Sequence, residues 1–334
     1  MKNFKHSSNN ILGLQCLHHL TRTLLVPNGS LRSKETVMAQ SPGNKACLGF
    51  KSSADPSLFL YFNNTTIINL LLYVHAIIIT GNSPSSIASL ITSLSLEFEL
   101  KDLGTVCYFL GLQLALTSSS LSITQTKYAT DLLHKHNKFH SKPSKTPFAT
   151  ARLSPTEHSL VDPHSYRSLV GALQYLTFIH PDLLFVVNQV FQFMTNPTDV
   201  HLQAAKHILR YLKVTLTSSI LLKPGPIFLS AFLDADWAGD LSARRSTTGF
   251  IAFLGSNPIT WAAKKQPAVS RSSTVAKYRA LASTAAELPW LRILMQELHI
   301  YLLKPPLLWC DNLCTLALAS NPVFHSRTKH IEVD

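Results

Sequence analysis

The sequence predicts a two-part α/β chain: a front part of strands mixed with helices, then a rear part built on a mixed sheet with one long helix. Three observations carry this. An isoleucine-rich stretch at 65–80 suits two buried strands joined by a tight turn. Apolar residues recur at helical spacing through 85–100. From Phe228 onward, three strand patterns, a long helical pattern and a further strand follow one another, the succession expected of an α/β mixed sheet.

In chain order, residues 1–48 lack periodicity and scatter Ser, Asn and His, so no fold is predicted there and disorder or degeneration is expected. Residues 49–148 form the first predicted unit. Its segment TTIINLLLYVHAIIIT (65–80) is shorter than the roughly 20 residues of a membrane-spanning helix and contains Asn69 and His75. A buried hairpin turning at Tyr73-Val74-His75-Ala76 is expected instead. Ile87, Leu90, Ile91 and Leu94 mark an amphipathic helix over 85–100. KDLGTVCYFLGLQLAL reads as a glycine-punctuated turn and strand, and 126–136 as a second helix. Residues 149–227 join the two parts. Pro143, Pro147, Pro155 and Pro163 mark a connector, and a helical stretch over 166–212 breaks at Pro181 and Pro197. The last unit, 228–334, reads as strands at 228–234, 248–254 and 258–263. A helix at 274–298 interrupted at Pro289, a strand at 307–310 and a helix at 312–319 complete it.

Composition narrows the partners. Lys plus Arg total 30 against 18 for Asp plus Glu, a formal charge of +12 with a pI near 9.5. Either a polyanion such as nucleic acid is bound through phosphate neutralisation, or a drifting sequence has lost carboxylates. Charged residues are 14% of the chain, against about 25% in ordinary soluble proteins, which fits the second reading as well as the first. Five scattered cysteines show neither a disulfide framework nor zinc-ligand spacing, and favour a reducing, intracellular setting (cytoplasm or nucleus). Lys2 and Lys5 precede no long apolar core, so no signal peptide is predicted.

Two aspartates stand where apolar strands end: Asp234, and Asp311 in LWCDN. Carboxylates so placed can converge on divalent ions, since Mg²⁺ takes oxygen ligands and a pair of ions about 3.5–4 Å apart serves phosphodiester hydrolysis. They can equally cap the next turn or helix. Lys206, Arg210 and Lys213 share one helix face, either a solvated surface or a phosphate-binding stripe.

The runs FLDADWAGDLSARRSTTGFIAFLGSNPITWAAKKQPAVSRSST, YRALASTAAELPWL, LWCDN and NPVFHSRTKHIEVD resemble the ribonuclease H domain of copia-type retrotransposons, nearly continuously from Ala231 to the end. GFKSSADPSLFLYFNNTTIINLLLYVHAIIITGN, LSLEFELKDLGTVCYFLGLQL and SITQTKYATDLL resemble the reverse transcriptase of the same elements, from late palm towards thumb. YRSLVGALQYLTFIHPDLLFVVNQV and HLQAAKHILRYLK resemble the segment joining the two, so the likeness covers about 49–334.

The resemblance implies an α+β palm and thumb remnant followed by a ribonuclease H-like α/β domain, cut short before its final helix. It implies Mg²⁺ ligands at Asp234 and Asp311, on the long helix, and near KHI, where Glu332 stands with Asp334 as a substitute. On the helix, however, the family's EAEYRAL is replaced by Val275-Ala276-Lys277-Tyr278-Arg279-Ala280-Leu281, which puts Lys277 at the ligand position. At the hairpin the family's YVDD is replaced by YVHA, with His75 and Ala76 in place of two carboxylates. A neutral imidazole and a methyl bring no negative charge to a hard cation. The family's upstream palm aspartate and fingers are not recognisable in 1–48. Mg²⁺ is therefore expected not to bind, and Lys277 to pair with Asp234 or Asp311, or else to swing into solvent.

Binding chemistry would outlast such losses. Arg244, Arg245, Lys264, Lys265 and Arg271, with Lys206 and Arg210 on the connector, are the candidate nucleic-acid contacts. Trp237 and Trp261 are either core residues or stacking platforms. An RNA/DNA hybrid is the expected partner; no membrane and no small-molecule substrate are expected. The expected function is a catalytically inactive fragment of a copia-type polyprotein. A domesticated hybrid-binding module and a translated pseudogene product without function are the alternatives.

Overall fold

The computed structural model describes residues 20–25, 50–63, 65–74, 76–148, 153, 162–240 and 242–321. Its first sheet has six strands in the order β2-β3-β4-β5-β1-β6. They are β1 (Leu20–Leu25), β2 (Phe50–Lys51), β3 (Leu58–Asn63), β4 (Thr66–Tyr73), β5 (Ala76–Gly81) and β6 (Lys101–Thr105). β4 and β5 form the expected hairpin, with Tyr73 opposite Ala76. Val74, in the turn, is held at φ 45°, a left-handed conformation that a β-branched residue resists. Among the described residues no helix is long and apolar enough to cross a membrane.

One expectation is corrected here. Within residues 1–48, where no fold was predicted, β1 lies inside this sheet, antiparallel to both β5 and β6. Its sequence, LTRTLL, carries little apolar signal because the buried positions include Thr21 and Thr23. Pairing on both edges, which no local pattern reports, makes it a strand. α1 (Pro84–Glu97) then covers the sheet, starting at Ser83, whose hydroxyl accepts from the Ser86 N–H at 3.3 Å, and burying Ile87 and Leu94 against Leu70 and Ile79.

The second sheet runs β10-β9-β8-β7. Its strands are β7 (Tyr108–Phe109), β8 (Leu112–Leu116), β9 (Leu121–Thr124) and β10 (Ile220–Leu222). Between β9 and β10 the chain builds α2 (Thr126–Lys135), α3 (Pro163–Leu176), α4 (Leu184–Phe191) and α5 (Asp199–Leu212), which share one core around Tyr166, Leu173, Val187 and Leu209. Much of the proline-marked connector lies outside the described residues.

The third sheet has the order β13-β12-β11-β14, with β11 (Leu229–Ala235), β12 (Thr247–Leu254), β13 (Asn257–Lys265) and β14 (Leu307–Trp309). β11, β12 and β13 are antiparallel neighbours, whereas β14 runs parallel to β11. α6 (Ser273–Glu297) packs on it, and α7 (Leu313–Ser320) packs on α6. The expected interruption at Pro289 is absent: α6 is one helix with Pro289 inside it, on an exposed position. Proline removes one backbone hydrogen bond. Apolar burial on both sides of it, by Val275, Ala276, Ala280 and Leu288 before and Leu291, Leu294 and Met295 after, keeps the helix running.

A single apolar cluster joins the first and third sheets. Leu58, Leu60, Leu71 and Ile78 meet Leu229, Leu254, Leu288, Leu291, Leu294 and Met295. The contact is keyed by polar groups. Glu297 accepts hydrogen bonds from Ser52 Oγ (2.5 Å) and from the Ser53 N–H (2.9 Å), and Trp290 Nε1 donates to the Ala54 carbonyl at 3.0 Å.

Candidate active site

Strand alternation sets the first carboxylate. Along β11, Leu229, Ala231, Leu233 and Ala235 are buried, while Phe232 and Asp234 are exposed on the opposite face. Parallel pairing places Phe232 beside Trp309. Two residues further on, the chains therefore bring Asp234 and Asp311 side by side at the same end of the sheet. Asp311 is not a helix cap: Asn312 holds that role for α7, accepting from the Thr315 N–H at 2.9 Å. Thr315 Oγ1 in turn donates to the Thr274 carbonyl at 3.1 Å, tying this corner to the start of α6.

Lys277 closes the site from above. Ala276 and Ala280 of α6 pack on Leu233 and Ala235, which fixes the helix close over the sheet and aims position 277 at the strand ends. Its Nζ lies 2.5 Å from Asp311 Oδ1 and 3.1 Å from Asp234 Oδ1. The lysine side chain is only 16% exposed, whereas the carboxylates are 73% and 67% exposed. Of the two expected outcomes for this lysine, pairing is the one adopted, and with both partners at once. Hydrogen bonding to Asp311 first, and to Asp234 after burial has worked the other way, holds the ammonium above its ordinary pKa. The same hydrogen bond holds the Asp311 carboxyl below its usual range. The lysine stays charged and both carboxylates are engaged.

Such a cluster does not fit a divalent ion. Two carboxylates and one ammonium leave a single net negative charge, and an incoming cation would meet an N–H donor where it needs an oxygen ligand. Among the described residues no group of three His, Cys, Asp or Glu side chains could hold a metal. Glu332 and His75 lie outside the described residues. Ala76 opens β5, and its methyl offers no ligand.

The chain as a whole is similar to known proteins. The polyprotein of transposon RE1 from Arabidopsis thaliana is 45% identical over 291 residues, 86% of this chain and 20% of the relative. The polyprotein of transposon TNT 1-94 from Nicotiana tabacum is 35% identical over 295 residues, 85% of this chain and 22% of the relative. An uncharacterized mitochondrial protein of Arabidopsis thaliana, AtMg00810, is 48% identical over 223 residues, 66% of this chain and 93% of the relative. This chain belongs to the copia-type Pol family. It spans about a fifth of the length of the transposon polyproteins it matches. Within the Pol fragment, the reverse transcriptase (RNA-dependent DNA polymerase) family matches residues 46–150, which hold the β4–β5 hairpin. Reverse transcriptases bind nucleic acid and generally use a divalent metal.

The candidate nucleic-acid contacts of the Pol fragment do not form one surface. Arg244 and Arg245 are exposed in the loop entering β12, at the end of the sheet where Asp234 leaves β11. Exposed Arg271 precedes α6 there, next to Ser270, whose carbonyl accepts from Trp237 Nε1 at 3.0 Å. The Trp237 ring is 58% exposed, while Trp261 is partly buried and donates to the Thr177 carbonyl at 2.8 Å. Lys264 is exposed; its neighbour Lys265, on the opposite face of β13, is bound by Asp240 and donates to Gln192 Oε1 at 3.0 Å. Asp240 was missed as that partner, and nothing in a separation of 25 residues signals it. Lys206 and Arg210 sit on α5, within the connector, where Arg210 Nε donates to the Lys142 carbonyl at 2.8 Å.

Proposed function

We propose that this chain is a catalytically silent piece of a copia-type polyprotein. On this reading residues 49–148 derive from the reverse transcriptase palm and thumb, 149–227 from the connecting segment, and 228–334 from a ribonuclease H-like domain. The strand order β13-β12-β11-β14, with parallel β14 and two aspartates at adjoining strand ends, supports the last assignment. The observation that carries silence is the Lys277 ammonium, bonded to both Asp234 and Asp311. It supplies the positive charge that a metal would bring, so the carboxylates persist without mutual repulsion, but it activates no water and polarises no phosphate. At the hairpin, His75 and Ala76 leave the palm without paired carboxylates. Glu332 completes the inherited acidic set.

What persists is affinity for an RNA/DNA hybrid, through Arg244, Arg245 and Arg271 around the same strand ends, with the open Trp237 ring beside them. An intracellular setting suits the free thiols of Cys107, Cys310 and Cys314. The test sets the natural chain beside Lys277→Glu, each incubated with hybrid and Mg²⁺. No cleavage by the natural chain is expected, and cleavage gained by the variant would establish the site; Mg²⁺-dependent cleavage by the natural chain ends the proposal. Hybrid affinity that falls steeply with salt would mark a working phosphate-binding surface.

A further inference from the structure

A cavity of about 300 Å³ opens on the helical connector, between α5 and the segment 138–148. Its floor is apolar, with Phe148, Val190 and Ile208, and Lys138, Lys206 and Arg210 stand around it. Among the described residues no aspartate or glutamate lines it. Neither Lys138 nor Lys206 makes an ion pair among the described residues. Arg210 is fixed in place by its bond to the Lys142 carbonyl. His207 is fixed likewise, its Nε2 lying 3.0 Å from both Ser144 Oγ and the Thr146 carbonyl. This part of the rim is therefore pre-organised, which lowers the ordering cost of taking a ligand. Its field reaches the neighbouring His136, where burial first, then Lys135 and Lys206, hold the imidazole below its ordinary pKa.

Cations gathered around one concavity repel one another unless an anion joins them, and at physiological salt the screening length of about 8 Å leaves that repulsion largely in force. An apolar floor beneath a cationic rim calls for a ligand with both a ring and an anionic group. The volume is at the small end of ligand pockets, which run from about 300 Å³ upward, so it takes one nucleotide unit and not a length of strand. We propose that this cavity binds a nucleoside phosphate, the ring against Phe148 and the phosphate between Lys138, Lys206 and Arg210. The ligand is either a free mononucleotide or one nucleotide of a single strand. The site is separate from the carboxylate cluster, and it borrows from the proposed function only the class of partner.

The test uses the full chain and three probes: adenosine monophosphate, inorganic phosphate and a single-stranded RNA oligonucleotide, titrated calorimetrically. Nucleotide is expected to bind more tightly than inorganic phosphate, because the floor contributes; RNA binding without mononucleotide binding assigns the cavity to a strand only where Lys138→Glu with Lys206→Glu weakens it. Lys138→Glu with Lys206→Glu is expected to weaken binding at least about tenfold, since two phosphate contacts are reversed in charge. Should that double variant melt early, Lys206→Gln, at about a threefold loss, replaces it. Lys277→Glu leaves this binding unchanged, so its failure and failure of the silent-site reading come from different variants. No binding of either nucleotide or RNA, or equal affinity in the natural and double-variant chains, overturns the proposal.

Discussion

Leu294 is 1% exposed in the cluster that joins the first sheet to the third. Leu294→Ala removes its branched end from a closed environment, and such truncations cost about 2–5 kcal/mol, with a cavity left behind as part of the penalty. Since Leu58, Leu60, Leu71 and Ile78 of β3, β4 and β5 share that cluster with Leu291 and Met295 of α6, the loss should not stay in the rear part. A cost of about 3 kcal/mol raises the open population roughly a hundredfold. Amide hydrogen exchange followed strand by strand reads this directly. The slowest amides of β4 and β5 are expected to lose as much protection as those of α6. If α6 loses protection while β4 and β5 keep theirs, the two parts open independently and the shared core is not a cooperative unit.

Three further outcomes follow from single positions. Burial works against the Asp240 charge, but hydrogen bonds from Lys265 and Ser242 outweigh it and pull its pKa down to about 2. The stability it contributes is present above the unfolded value of about 3.9 and is lost as pH falls through about 2. Thermal melts of the natural chain and Asp240→Asn should therefore converge below that window; a gap that stays constant into acid refutes the pairing. Val74→Gly relieves a left-handed backbone that costs about 1–2 kcal/mol, offset in part by about 1 kcal/mol of glycine entropy. Urea unfolding should show a stability equal to or slightly above that of the natural chain, and a clear loss would mean that φ is not strained. Gly81→Ala would set a Cβ 2.4 Å from the Ile67 carbonyl oxygen, forcing the β4–β5 pair apart. A loss of about 1–3 kcal/mol is expected, and an unchanged urea midpoint would contradict that close approach.

The elements most legible in the sequence are those whose pattern reports burial on one face. Leu233 and Ala235 flank Asp234, and Ile87 and Leu94 recur at helical spacing, so β11 and α1 could be read without knowing their neighbours. β1 could not. Thr21 and Thr23 fill buried sheet positions with polar side chains, and only the flanking strands β5 and β6 make LTRTLL a strand. Pro289 misled in the opposite direction: a local rule against proline inside a helix loses to apolar contacts on either side of it. The shared core of the first and third sheets was invisible for the same reason as β1, since Leu58 and Leu294 meet only in three dimensions.

For the site, legibility depended on whether a residue acts through its own charge or through a partner. Asp234, Asp311 and Lys277 are singled out by their places in the copia-type runs, with pairing or a lysine turned to solvent left open; once strand and helix bring the opposite charges close, pairing is the favourable geometry. The basic residues were harder, because a cation's availability is set by what else is near it. Lys265 is spent on Asp240, while Arg244, Arg245 and Arg271 stay exposed. A count of positive charge thus overstates the surface open to phosphate at the strand ends. The same reasoning separates the two lysines of α5's neighbourhood from the rest. Among the described residues Lys138 and Lys206 have no carboxylate partner and stand at the rim of an apolar-floored cavity, so an anion bound there would relieve their repulsion.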